Sequence, residues 1–381
     1  MENIIKFLSL LLIVIPSIVT SQNLPKDSLL GHVKKIRENV IFLTEKENPQ
    51  FLYNNDYGHS GFMGPESTIS KFFNMWYSSN LCYYINYERH YDENRKITNE
   101  IWFGKKDNFI HSYRYLYDKK NRLISSIDST AHSIYTKNHY FNEYGEYVDE
   151  NIISENIQTN YFSHYYNKYK NGKVIRSKSF DENGFVDEYI NHYNDKGKIA
   201  YKICKNPSTW KKLEGNSWSL GVHDSVGQPY KNMEFDYDEK GRLIKKKEFE
   251  IQEYTNNIVP GRVITNIYKD DHLITQITGK KDDDQFTTYY NYRYDKYGRL
   301  TEKYCCNKDI SKAGIIEKYT YTNDKITRLN YSHIEPSEKP KRVNYKVSYS
   351  YKYDHNNNWT EILKTVNGVK LYKWVREIEY Y

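Results

Sequence analysis

Along most of the chain apolar and polar residues alternate with a period of two, the pattern of a half-buried strand. Leu81, Tyr83, Ile85, Tyr87 and Tyr91 fall on one face, with Cys82, Tyr84, Asn86, Glu88 and His90 on the other. From Tyr289 to Tyr294 four of six positions are aromatic, so rings are expected on both faces there. Gly31 to Leu43 reads as an opening strand, although its charges also suit a helix. One stretch keeps a different period. Ile69, Phe72, Phe73, Trp76 and Tyr77 recur at i, i+3, i+4, i+7 and i+8, which predicts a short helix from Ser67 with Ser67 as its cap. Its expected role is to cover the first exposed strand edge, because an open edge is a template for aggregation.

A repeated phrase punctuates the strands: an aromatic residue, Asp or Asn, two variable residues, Gly or Asn, one variable residue, then a hydrophobic one. Seven copies read cleanly. Four are Tyr117-Asp118 with Asn121 and Leu123, Phe141-Asn142 with Gly145 and Tyr147, Phe180-Asp181 with Gly184 and Val186, and Tyr193-Asn194 with Gly197 and Ile199. The others are Tyr237-Asp238 with Gly241 and Leu243, Tyr294-Asp295 with Gly298 and Leu300, and Tyr353-Asp354 with Asn357 and Trp359. Looser copies begin at Tyr91, Tyr166, Tyr268 and Tyr321. The physics is that of a hairpin turn. Asp or Asn bonds the amides that follow it, and Gly or Asn three residues later tolerates the left-handed backbone that ends such loops.

Spacing turns the phrase into an architecture. Aromatic starts at 91, 117, 141, 166 and 193 lie 26, 24, 25 and 27 residues apart, and those at 237, 268, 294, 321 and 353 lie 31, 26, 27 and 32 apart. The interval of 44 between Tyr193 and Tyr237 stands out and calls for an insertion of about one hairpin, at about 206–231. The expected fold is therefore all-β: an array of antiparallel hairpins over 81–381 forming a long twisted sheet, able to curl into a spiral or partial barrel. Residues 22–80, with their short helix, form a cover segment.

The complete copies Tyr237 to Leu243 and Tyr294 to Leu300 read Tyr-Asp-x-x-Gly-Arg-Leu, which resembles the YD repeat of the RHS (rearrangement hot spot) proteins. The resemblance implies long sheets of tyrosine-rich strands, which in the largest members wind into shells around a toxin segment. It also implies cell-surface association and carbohydrate binding. This chain departs from the shell-forming members in its shortness and in having no Asp-Pro dipeptide, so their self-cleavage motif is absent.

Composition agrees with a tyrosine-built sheet. Of 381 residues 41 are Tyr, and without them, but with Gly, the apolar share is roughly 32% against about 45–50% in ordinary domains. At 16% aromatic the chain is too ring-rich for disorder. The net charge of +7, with 28% charged residues of both signs, is too mild and dispersed to imply nucleic acid. Lys6, the apolar run Phe7 to Ile15, and Val19-Thr20-Ser21 before Gln22 read as a signal peptide over 1–21, too short to span a membrane. An exported protein follows, extracellular, surface-bound or periplasmic, with no transmembrane segment after cleavage.

Chemistry-bearing motifs are few. Cys82, Cys204, Cys305 and Cys306 lack zinc-site spacing and read as buried or loosely paired thiols. Asp236 to Gly241 starts like a calcium loop but has Lys240 and Lys247 where acids are required. No Gly-x-Ser-x-Gly elbow, phosphate loop or His-Glu-x-x-His is present, and His223-Asp224 has no evident nucleophile to serve. No enzymatic activity, cofactor or metal is expected. The insertion carries Trp210, Trp218, His223 and Tyr230, candidates for a ligand platform if exposed and ordinary packing residues if not. Asp118, Asn121, Gly145, Asp181, Gly184, Gly197, Asp238, Gly241, Asp295, Gly298 and Asp354 are structural turn residues. The expected function is non-catalytic binding or support at the cell envelope, with a glycan or protein surface as partner. The alternatives are an accessory of a contact-dependent toxin, as immunity or carrier protein, and a hydrolase assembled only in the fold.

Overall fold

The computed structural model describes residues 29–44, 65–104, 107–130, 133–141, 147–156, 161–181, 184–205, 207–212, 218–252, 255–280, 283–306, 312–335 and 339–381. Residues 1–21, expected to be a signal segment, and Gly145 lie outside them. The chain opens with β1 (Val33–Phe42), α1 (Pro65–Ser78), β2 (Asn86–Tyr91), β3 (Ile97–Phe103), β4 (Phe109–Tyr117), β5 (Leu123–Thr130), β6 (Ser133–Phe141) and β7 (Tyr147–Asn156). It continues through β8 (Tyr161–Lys170), β9 (Lys173–Asp181), β10 (Gly184–Tyr193), β11 (Ile199–Cys204), β12 (Ser208–Lys212), β13 (Trp218–Val226), β14 (Tyr230–Tyr237), β15 (Leu243–Ile251) and β16 (Ile258–Lys269). The last strands are β17 (His272–Lys280), β18 (Asp283–Tyr294), β19 (Leu300–Cys306), β20 (Ile315–Thr322), β21 (Lys325–Glu335), β22 (Lys341–Tyr353), β23 (Trp359–Val366) and β24 (Val369–Tyr380).

The fold is all-β: one 22-stranded antiparallel sheet, with a two-stranded β12–β13 sheet beside it. Consecutive strands pair throughout, β11 pairing β14 across the β12–β13 hairpin. β1 lies between β2 and β24, pairing Ile36 with Arg89 on one side and with Ile378 on the other, so the first strand joins the two ends of the array. The edge-covering role expected of the helix thus falls to β1, and α1 packs on a face of the sheet instead. Helix α1 starts at Pro65, whose missing amide suits a first turn. Ser67 is therefore inside the helix and not its cap. The strand expected from Leu81 starts at Asn86; Cys82 and Ile85 before it are fully buried.

Six turns take the phrase's expected form. Asp118 Oδ1 accepts the Lys120 and Arg122 amides at 2.9 Å, and Asn121, at φ 62°, donates its amide to the Asp118 carbonyl at 2.8 Å. Asn194, Asp238, Asp295 and Asp354 repeat the pattern, with Gly197, Gly241, Gly298 and Asn357 at positive φ. The looser copy at Tyr91 is a full member: Asp92 accepts the Asn94 and Lys96 amides, and Arg95 occupies the left-handed position at φ 63°. Glycine suits that position because a β-carbon there is strained; at Gly298 it would also meet His272 at 3.0 Å. Other turns are shorter. Asn171-Gly172, Asn323-Asp324 and Asn367-Gly368 are two-residue turns with both residues at positive φ, matching the twist of paired strands. The Phe180 copy also departs from the phrase, because Asp181 and Gly184 pair directly across β9 and β10.

The tyrosine surplus has a structural use. Each five-residue loop shifts the register, as between Asp236 and Tyr237, leaving a carbonyl for another partner. The aromatic residue of the following repeat supplies it: Tyr117 Oη donates to the Ile97 carbonyl at 2.9 Å, Tyr237 to Ile199 at 3.0 Å and Tyr321 to Leu300 at 2.8 Å, and Tyr294 does the same for Leu273 at 2.9 Å after the two-residue Asp270-Asp271 turn. The arginine of the complete phrase reaches forward as well. Arg242 and Arg299 donate Nε to their own turn aspartates at 2.7 Å and lie 4.5 and 4.8 Å from the centres of the Tyr268 and Tyr321 rings. Burial raises the Tyr117 and Tyr237 phenols and pushes Tyr321 up to about 12, so these donors stay protonated.

The main hydrophobic core lies under α1. Phe72 and Trp76 are fully buried against Trp374, with ring centres 4.6 and 5.5 Å away, and Trp359 meets Trp374 at 4.4 Å. Ile36, Val40, Tyr87, Trp102, Leu329 and Ile362 extend this core across β1–β3 and β21–β23. The four cysteines form no disulfide; Cys82, Cys204 and Cys306 are buried.

Candidate functional site

The end of α1 is anchored by an unusual residue. A helix leaves its last carbonyls without partners, and α1 has no basic residue in its last turn. Lys364 of β23, fully buried, supplies the missing donors: its Nζ lies 2.8 Å from the Trp76 carbonyl, 3.3 Å from that of Met75 and 2.6 Å from that of Leu81. Tyr349 Oη donates to the Trp76 carbonyl at 2.7 Å. Burial pushes the Lys364 ammonium down to about 7, opposed by the Cys82 thiol nearby. These bonds fix the helix end above β20–β24.

Beside this anchor lies a cleft of about 620 Å³, bounded by Met75, Ser78 and Leu81 on one side and by β20–β22 on the other. Its floor follows from register. Glu317 of β20 pairs with Tyr331 of β21, which pairs with Tyr345 of β22, so the three side chains share one face. His333 follows two residues after Tyr331 on that face. The His333 and Tyr345 rings are almost parallel, 7° apart with centres at 5.8 Å, and Tyr331 lies 5.5 Å from His333 and 6.1 Å from Tyr345. Burial raises both tyrosine phenols, which remain protonated donors at neutral pH.

Polar groups on this floor are unequal in what they can offer. Glu317, buried, accepts from Tyr319 Oη at 2.5 Å and Lys303 Nζ at 3.2 Å. His333 Nδ1 is buried and makes no hydrogen bond within the protein, a costly state that a ligand group would relieve. Two nearby hydroxyls have partners within the protein. Ser78 Oγ donates to the Asn74 carbonyl, and Ser79 Oγ accepts the Leu81 amide at 2.9 Å.

The residues singled out from the sequence lie elsewhere. Trp210, Trp218 and His223 belong to the β12–β13 hairpin, where Trp210 pairs with Leu220 and Lys212 with Trp218; their side chains lie outside the described residues. Tyr230 opens β14 in the main sheet, paired with Cys204, so the four are not one group by backbone position. Tyr331, His333 and Tyr345 escape sequence reading because each is an ordinary strand position. Only the β21–β22 register brings Tyr345 beside Tyr331 and His333.

No family model matches the chain, and no curated protein matches it. Among solved structures it is similar to the crystal structure of TcdB2-TccC3-TEV, at 10% identity and a TM-score of 0.23 over 76% of this chain and 19% of that one. The Tc holotoxin pore of Photorhabdus luminescens matches at the same identity, TM-score and coverage. The chain thus spans 19% of the length of these toxin chains. A porin-like protein from Bacteroides uniformis ATCC 8492 is similar at 8% identity and a TM-score of 0.24, over 92% of this chain and 99% of that one.

Proposed function

We propose that this is an exported, non-catalytic repeat protein of the cell envelope that binds a glycan in the cleft beside α1. The observation that carries the reading is the row formed by Tyr331, His333 and Tyr345, with an unbonded imidazole nitrogen within it. Ring faces offer a flat apolar surface to the C–H face of a sugar, while phenols and imidazole meet its hydroxyls. A concave site of this size fits one or two sugar rings better than a flat protein surface. Glu317 is the single carboxylate among the residues lining the cleft and is bonded to Tyr319 and Lys303, whereas glycoside hydrolysis takes a pair of carboxylates, which favours binding over hydrolysis. Export rests on Lys6 and the apolar run Phe7 to Ile15.

A glycan array probed with the mature chain, a His333→Ala/Tyr345→Ala variant and a Trp210→Ala/Trp218→Ala variant tests this reading. Binding by the mature chain and the tryptophan variant, lost in the cleft variant, is expected. Binding lost only in the tryptophan variant would move the site to the β12–β13 hairpin, and no binding by any of the three would refute the glycan reading.

A further inference from the structure

A second pocket, of about 510 Å³, opens between α1, β1 and β2 and shares no lining residue with the aromatic cleft. Its charged lining residues are Glu38, Arg89, Arg95 and Arg376, three guanidiniums against one carboxylate. Two of the arginines are held rigidly from behind. Arg376, 3% exposed, donates Nε to Glu38 at 2.7 Å and stacks 3.6 Å from the centre of the Trp359 ring. Arg89 donates Nε to the fully buried Glu100 at 2.6 Å, and Trp102 Nε1 donates to that same carboxylate at 2.6 Å. Even with Glu100 counted, the cluster keeps one excess positive charge.

Arg95 is the third observation. It stands at φ 63°, in the turn position that Asn121, Gly197, Gly241, Gly298 and Asn357 fill in the equivalent loops. A long side chain there is strained relative to glycine, and such strain marks places where the side chain has other work. Here Arg95 is exposed and lines the pocket. Phe73 and Ile36 supply an apolar wall.

We propose that this pocket binds a small organic oxyanion, a carboxylate or phosphate ester, with the anionic group between Arg95 and Arg89 and its body against Phe73. The planar guanidinium fork matches both anions, and the preset ion pairs behind Arg89 and Arg376 remove the cost of ordering them on binding.

Titration calorimetry of the mature chain with glucuronate, glucose 6-phosphate and glucose tests the site, with Arg95→Gly as the variant. That substitution places the favoured residue in the turn, so the melting temperature is expected to hold or rise. One or both anions should bind, glucose should not, and Arg95→Gly should weaken binding about tenfold or more, the loss of one charged hydrogen bond. The tighter anion distinguishes carboxylate from phosphate. Failure of both anions to bind, equal binding of glucose, or unchanged affinity in Arg95→Gly would overturn the proposal. A wild-type glucuronate affinity that survives His333→Ala/Tyr345→Ala separates this pocket from the aromatic cleft; its loss there would also overturn the assignment.

Discussion

The sheet around α1 and the sheet from β14 to β18 are built from the same repeat, yet they are held in different ways. Around α1 one face is sealed, with Trp374, Trp76, Ile362 and Leu329 fully buried. Among the described residues of β14 to β18 no hydrophobic side chain is buried; the buried side chains there are Asn266 and Gln276. Those two amides bond each other at 2.9 Å, and Asn266 also donates to the Leu243 carbonyl at 2.9 Å. The arc therefore relies on its backbone ladder, turn aspartates and tyrosine hydroxyls, whereas the α1 region adds a hydrophobic core. Repeat chemistry alone suffices to extend a sheet, and a cleft requires something laid upon it.

The largest test of this contrast is Trp374→Ala. It removes the ring on which Phe72, Trp76 and Trp359 converge, and about 3–5 kcal/mol of stability should be lost by denaturant unfolding. Next comes Lys364→Met, which removes the Lys364 donor from the Met75 and Leu81 carbonyls, leaves the Trp76 carbonyl to Tyr349 alone, and should cost about 1–3 kcal/mol at neutral pH. It should also change the pH profile. Lys364 releases its proton near 7 in the fold and near 10.4 in the unfolded chain, so between these values the unfolded state holds more protons. Its burial penalty is full below about pH 7 and is relieved as pH rises towards 10.4. Wild-type stability relative to Lys364→Met should accordingly increase over that window, and parallel profiles would contradict the assignment.

In the arc the effects are smaller. Gly241→Ala forces a β-carbon into the left-handed region and should cost about 1–2 kcal/mol, measured by the shift in unfolding midpoint. Tyr237→Phe keeps the ring and deletes only the bond to the Ile199 carbonyl, for about 0.5–1.5 kcal/mol. Raised phenol titration adds a pH signature. Stability from Tyr237 and Tyr321 is full below the ordinary phenol value near 10 and declines as pH rises through their higher folded values.

Much of the fold was legible because its chemistry is local. An Asp and a Gly three residues apart define a loop wherever they occur, and the helical period of Phe72, Phe73 and Trp76 needs no partner to be recognised. Long-range consequences were not legible. Nothing in Gly31 to Leu43 says that both β2 and β24 flank it, since that depends on the accumulated twist of the whole array. Lys364 lies in an alternating strand and reads as a solvent-facing lysine until the end of α1 is placed over it. The cleft floor is similar: Tyr331 and Tyr345 are two tyrosines among 41, distinguished only by their neighbours. The tryptophans of the insertion drew notice because they break the repeat, whereas the aromatic row is made of residues that obey it.

Hydrogen exchange of the intact chain, followed strand by strand, tests the contrast most directly. Amides of β21–β24 and β1 should exchange slowest, because opening them breaks the core beneath α1, and those of β14–β18 should exchange faster at the same depth of hydrogen bonding. Uniform protection around the array, or slower exchange in β14–β18, would contradict the account.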